Sequence, residues 1–232
     1  MKTIGLLGGM SWESSIEYYR IINQEVRARL GGLHSAQCLM YSVDFAEIEA
    51  LQHSGDWEAL TDRMISAVLR LEAGGADFSV ICTNTMHRMA EVVEAATHIP
   101  LLHIADATAE AIQSIGLTTV GLLGTRFTME GDFYCKRLEE KHGLRVLIPQ
   151  EQGREAVHRI IYDELVQGII NDASRQIYLD VIKDLQASGA QGVVLGCTEI
   201  PLLVKQSDVS MPIFDTTTIH AQAAVDWALA SD

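Results

Sequence analysis

One run of residues occurs twice. Thr3-Ile4-Gly5-Leu6-Leu7-Gly8-Gly9 returns as Thr119-Val120-Gly121-Leu122-Leu123-Gly124-Thr125, an offset of 116. Gly75-Ala76 returns as Gly189-Ala190 at offset 114, and Pro100-Leu101-Leu102 returns near Pro212-Ile213-Phe214 at offset 112. Matches in the same order at nearly constant offset mark a duplicated unit. The 232 residues then divide into two similar domains of roughly 110 residues, related by a pseudo-twofold.

Short apolar runs alternate with amphipathic stretches, the pattern of βαβ units and a parallel sheet. The strands expected in the first half are Thr3–Leu7, Gln37–Val43, Phe78–Cys82 and Leu101–Ile104; those in the second are Thr119–Leu123, Arg145–Ile148, Gly192–Gly196 and Pro212–Phe214. The fold class is α/β, with a mainly parallel four-stranded sheet in each half. The first helix starts at Ser11 as N-cap, carries Glu13 in its first turn and repeats Ile22, Val26 and Leu30 on one face. Arg27 and Arg29 complete it before Gly31-Gly32.

Composition excludes several functions. A formal net charge of −14 opposes nucleic acid, which is held by clustered Lys and Arg. No apolar run approaches the roughly 20 residues that span a bilayer, and the N-terminus does not read as a signal peptide. The expected compartment is the cytoplasm, where Cys38, Cys82, Cys135 and Cys197 are free thiols. None has the spacing of a metal site, so no metal is expected. Only Lys2 of the five lysines lies in the first hundred residues, which offers no sign of a pyridoxal Schiff base.

Ligands of open parallel sheets bind beyond the carboxyl ends of the strands. Four corners lie there: Gly8-Gly9-Met10-Ser11, Thr83-Asn84-Thr85, Gly124-Thr125-Arg126-Phe127-Thr128 and Cys197-Thr198-Glu199. Each is expected to open a helix and to offer N–H groups to an anion. Gly5-Leu6-Leu7-Gly8-Gly9 does not fit the G-x-G-x-x-G of dinucleotide binding. Cys197 follows an apolar strand and precedes Thr198, a candidate N-cap, and Pro201, suited to a first turn. Its thiol is expected to meet orphan N–H groups that lower its pKa. Cys82 points to the opposite strand face from Thr83 and reads as core, while Cys38 and Cys135 read as structural. The repeat places Thr83 and Cys197 at equivalent positions. Two proton-transfer groups flanking one carbon can remove a proton from one face and return it to the other.

The strings Gly8-Gly9-Met10-Ser11-Trp12-Glu13-Ser14, Asn84-Thr85-Met86-His87, Gly124-Thr125-x-x-Thr128-Met129 and Leu195-Gly196-Cys197-Thr198-Glu199 resemble the aspartate/glutamate racemase family, essentially end to end. The resemblance implies a cofactor-independent, two-thiol mechanism on acidic amino acids, at the interface of two Rossmann-like domains, and a homodimer. It implies a first domain of 1–99 plus 215–232, on which the C-terminal helix packs, and a second of 100–214. Carried over by residue, Cys197 matches the thiol acting on the L enantiomer. Asn84, Thr85, Thr198 and Glu199 match substrate-contacting positions, and Met10, Thr125 and Thr128 sit in matching corners. Gln52 is a looser match, in what reads as a variable loop around Leu51-Gln52-His53. His87 could tune residue 83 or bind substrate, although it and His220 read more simply as structural.

This sequence departs from the family pattern at Thr83, where the resemblance calls for the first catalytic cysteine. An aliphatic alcohol stays protonated at neutral pH unless a base activates it, so Thr83 is a poor base. The expected enzyme is asymmetric, with Cys197 deprotonating the L-amino acid and slow or relayed proton return on the opposite face. Enantiomers have equal free energy, so any preference lies in exchange rates or affinities and not in the equilibrium. Two rivals stay open: a decarboxylase or maleate-type isomerase using one thiol, and a non-catalytic protein that binds acidic amino acids.

Overall fold

The computed structural model describes residues 1–230; Ser231 and Asp232, the end of the 215–232 segment, lie outside the described residues. The chain divides into two compact units, Met1–His103 with the stretch from His220 onward, and Ile104–Ile219. The first unit runs four residues past position 99 because its fourth strand pairs with its third.

In chain order the first unit contains β1 (Ile4–Gly8), α1 (Trp12–Leu30), β2 (Cys38–Ser42), α2 (Phe45–Ser54), α3 (Trp57–Ala73), β3 (Phe78–Ile81), α4 (Ala90–Ala95) and β4 (Leu101–Leu102). A single 3-10 stretch, Thr85–Met89, leads into α4. The second contains α5 (Ile104–Ser114), β5 (Thr119–Gly124), α6 (Arg126–Glu130), α7 (Asp132–Lys136), β6 (Arg145–Leu147), α8 (Glu151–Asp163), α9 (Asp172–Ala187), β7 (Gly192–Gly196), α10 (Ile200–Leu203) and β8 (Ile213–Asp215). Helix α11 (Thr216–Leu229) begins in the second unit and continues into the first. The sheet orders are β2-β1-β3-β4 and β6-β5-β7-β8, and every pairing is parallel. The two units thus repeat one topology.

The repeated sequence strings are explained by one local device. A Cβ on Gly5 would lie 2.8 Å from the Ala76 Cβ and 3.4 Å from the Leu71 Cβ; on Gly121 it would lie 2.9 Å from Leu185 Cδ1. Glycine in the central strand therefore lets the last turn of α3 or α9 press a leucine onto the sheet. Gly75 and Gly189 then turn the chain at φ 94° and 102°, a region L side chains rarely adopt. The amide of Ala76 donates to Leu71 O, and that of Ala190 to Leu185 O, at 3.1 and 3.0 Å. Asp77 N–H reaches Thr3 O and Gln191 N–H reaches Thr119 O, both at 2.9 Å, which sets the third strand beside the first.

Strand β1 is buried along its whole length and β5 at every residue after Thr119, as parallel strands covered on two faces must be. In the first unit Leu7 and Ile81 pack against Leu60, Met64, Val68 and Leu71 of α3. On the other face Ile4, Leu6, Phe78 and Val80 meet Tyr18, Ile22 and Val26 of α1 and Ala221, Ala224 and Val225 of α11. Cys82 joins this second cluster, the face opposite Ile81. Leu30 lies in the last turn of α1 and is exposed, so the stripe ends one turn before the helix does. In the second unit Leu123, Val193 and Leu195 pack on α8 and α9, while Val120, Leu122, Val194 and Phe214 meet α5, Tyr134 and Leu138.

Asp106 of α5 fastens this second layer. Its carboxylate accepts 2.8 Å bonds from Arg137 Nε and Nη2, 2.7 Å from Lys141 and 2.8 Å from His142 Nε2. Burial pushes its pKa up, but the bonds from Arg137, Lys141 and His142 outweigh burial and hold it well below the usual carboxylate range.

Candidate functional site

Strand register makes Thr83 and Cys197 equivalent. Leu7 pairs with Ile81 in the first sheet and Leu123 with Leu195 in the second. Two residues beyond those partners stand Thr83 and Cys197, each partly buried at the carboxyl end of its sheet.

In the first unit, Ser15 Oγ accepts the Gly9 N–H at 2.8 Å, and the Ser11 carbonyl accepts both Ser14 Oγ at 2.9 Å and Ser15 Oγ at 3.0 Å. Ser11 holds the N-cap position of α1, yet its side chain makes no capping bond. Met10 is buried among Leu7, Ile48 and Ile81. Gln52 lies on α2 and not on a loop, because Asp44 caps that helix through the Ala46 amide and Gly55 ends it at φ 75°. Its side chain is buried and its Oε1 accepts no hydrogen bond. A buried amide oxygen in that state costs about 1–3 kcal/mol, so it is a ready acceptor for an incoming donor.

Asn84 and Thr85 are buried at the mouth of the 3-10 turn. His87 is also buried, and its Nδ1 lies 2.8 Å from the Thr83 carbonyl, which can only accept; Nδ1 therefore carries the proton. Its ring packs 4.6 Å from His103 and 5.6 Å from His220. His87 thus holds the backbone of the Thr83 corner.

In the second unit, Thr125 caps α6: its Oγ1 accepts the Thr128 N–H at 3.4 Å and lies 3.3 Å from Thr128 Oγ1. Both threonines are buried. The last corner joins three side chains. Cys197 Sγ donates to Glu199 Oε2 at 3.0 Å, and Thr198 Oγ1 donates to the same oxygen at 2.8 Å.

The expectations for this corner need two corrections. Helix α10 is four residues long with Glu199, not Thr198, at its N-cap position. Nor is the thiol pKa lowered. Burial raises it well above the ordinary value, and the charge of Glu199 and the hydrogen bond to it add to the rise. The N–H groups of Glu199 and Thr198 act in the expected direction and are outweighed. More broadly, only α1 gives its corner a long helix; the others open into a 3-10 turn or into helices of five and four residues.

The other cysteines differ in setting. Cys82 is fully buried, with burial pushing its pKa far upward; Cys38 and Cys135 are each pushed up to about 11, chiefly by burial. Sequence reasoning missed the contact of Glu199 with the thiol, although the Cys-x-Glu spacing was in view. It also missed His103 and Tyr18, whose partners are far away in the chain. Among the described residues, no group of three or more His, Cys, Asp or Glu could hold a metal ion, and no helix is long and apolar enough to cross a membrane.

Two units of one topology, each carrying a residue with a labile proton just beyond its third strand, define a duplicated α/β protein with polar strand-end corners. Similarity to known proteins narrows the class. The profile of the family described as Asp/Glu/Hydantoin racemase matches residues 7–224. The chain belongs to that family, and with it to the isomerases. A Yersinia pestis protein solved as a candidate Asp/Glu racemase is 58% identical, with a TM-score of 0.94 over 99% of this chain and 100% of that one. An aspartate racemase homologue from Pyrococcus horikoshii is 35% identical, with a TM-score of 0.86 over 99% and 100%. The broad specificity amino-acid racemase RacX of Bacillus subtilis is 22% identical over 98% of both chains.

Proposed function

We propose that this chain racemises aspartate or glutamate without a cofactor, using Cys197 to exchange the Cα proton of the L enantiomer, with the Thr83 corner serving the opposite face. The observation that carries this is the register match between a thiol at 197 and a hydroxyl at 83 in two sheets of one topology. Cys197 alone among the four cysteines follows the end of a third strand and donates to a carboxylate. The Pyrococcus relative is described as an aspartate racemase homologue, which supports an acidic amino acid as substrate.

Even with its pKa raised by burial, a thiol ionises far more readily than an alcohol, so Cys197 can take the proton from carbon, whereas the Thr83 hydroxyl can deliver or relay a proton but cannot accept one efficiently. The L face is therefore the fast face. Gln52, Asn84 and Thr85 of the first unit, with Met10 beside them, and Thr125, Thr128 and Thr198 of the second are the proposed substrate contacts. Their amides and hydroxyls suit the carboxylates and ammonium of an amino acid.

The test is proton NMR of Cα exchange in heavy water with each enantiomer of both amino acids. Exchange from the L enantiomer is expected to outpace inversion, and Cys197→Ser to abolish both. Comparable exchange from the D enantiomer, or exchange surviving in Cys197→Ser, would overturn the assignment.

A further inference from the structure

Glu199 is a puzzling neighbour for a thiol that must give up a proton. It is 95% buried, and one of its oxygens accepts both the Cys197 thiol at 3.0 Å and the Thr198 hydroxyl at 2.8 Å. The threonine bond fixes the carboxylate with Oε2 turned toward sulfur. Helix α9 adds Tyr178, fully buried, its hydroxyl donating to Val157 O at 3.2 Å. Burial, then the charges of Cys197, Glu164 and Glu199, keep that phenol protonated. Glu164 in turn accepts Ser174 Oγ at 2.8 Å. Glu199 is thus the titratable group hydrogen-bonded to sulfur, and Tyr178 is a neutral phenol that feels the charges of both. A thiolate beside an ionised Glu199 would place two negative charges about 3 Å apart in a partly dry site, which strongly disfavours double ionisation.

We propose that Glu199 is the positioning residue of Cys197: the two side chains share one proton, which rests on sulfur and moves to the carboxylate when the thiol must act as a base. This rests on the role given to Cys197 above. In the forward step the Sγ–H bond breaks and an Oε2–H bond forms. The thiolate then takes the Cα proton, so that Cα–H breaks and Sγ–H is restored. The opposite face of the planar intermediate accepts a solvent proton, and Glu199 returns its own to solvent. Every group ends as it began, and no oxidant or metal is required. Glu199 thereby sets the pH range in which the L face exchanges.

The experiment follows alkylation of Cys197 by iodoacetamide across pH without substrate, reading its peptide by mass spectrometry apart from those of Cys38, Cys82 and Cys135. In Glu199→Gln the midpoint should fall by at least one pH unit, giving alkylation about tenfold faster at any pH below both midpoints. The pH profile of L-substrate exchange should move the same way, with kcat changed more than KM. An unchanged or higher midpoint overturns the proposal. If Glu199→Gln does not fold, the native chain decides: its Cys197 midpoint must exceed that of the urea-unfolded chain, and a midpoint at or below it overturns the proposal. A shifted midpoint in a protein without Cα exchange would leave the shared proton standing and remove the racemase reading. Exchange with an unshifted midpoint would do the reverse.

Discussion

Substituting His220 should change how the protein's stability responds to acid. The imidazole is fully buried on α11, with Nε2 2.9 Å from Leu102 O and Nδ1 2.8 Å from the Tyr18 hydroxyl. A carbonyl can only accept, so Nε2 carries the hydrogen and Nδ1 accepts from Tyr18. The facing rings are Tyr18, edge-on at 5.7 Å, and His87 at 5.6 Å, with His103 packed behind His87. Burial, the largest cause, and the neighbouring His87 together lower the pKa of His220 from 6.5 to about 3, with the Leu102 carbonyl opposing them in part. Above pH 6.5 native and unfolded chains are both neutral here, and the stability is fully present. Below 6.5 the unfolded chain binds a proton that the native chain refuses. Stability then falls by about 1.4 kcal/mol per pH unit until the pH nears 3. Between pH 7 and 5 this one side chain removes about 2 kcal/mol.

Glutamine at 220 can still donate to Leu102 but leaves the Tyr18 hydroxyl poorly matched, a loss of about 1 kcal/mol at pH 7. It does not titrate. Urea denaturation from pH 7.5 to 5 should show His220→Gln less stable at the upper end and more stable at the lower, the curves crossing near pH 6. A constant difference across that range would refute the claim that His220 is buried neutral.

Thr83→Cys should raise racemisation in both directions by about tenfold or more, because a titratable thiol then serves each face; unchanged rates would remove position 83 from the acid–base pair. Asp106→Asn should cost about 2 kcal/mol at pH 7 by leaving Arg137, Lys141 and His142 without their shared carboxylate. Because the native pKa of Asp106 is depressed, that stability is present above the ordinary carboxylate pKa and lost as the pH falls below it. Urea midpoints of the two proteins should therefore converge in acid, and midpoints that stay equally far apart would refute it.

Much of the fold could be read from the residues because its rules are local. A glycine that admits a leucine, a glycine that must turn at positive φ and an apolar strand covered on both faces leave the same marks in each half. Those marks gave the duplication, the eight described strands to within two residues at every end, and the register linking Thr83 to Cys197. Gln52 was misplaced because helix α2 is decided by its caps at Asp44 and Gly55, not by periodicity around the glutamine.

The proton chemistry was not legible. Cys-x-Glu spacing allows the carboxylate to point anywhere, and only the folded corner turns it onto sulfur. Tyr18, His87, His103 and His220 meet across sheet and helices, with Tyr18 and His220 separated by 202 positions. Strand ends and turns follow from the chain's own short-range sterics, which the sequence determines by itself. The charge a buried group can carry depends on what the rest of the fold puts beside it, and only the tertiary structure decided that.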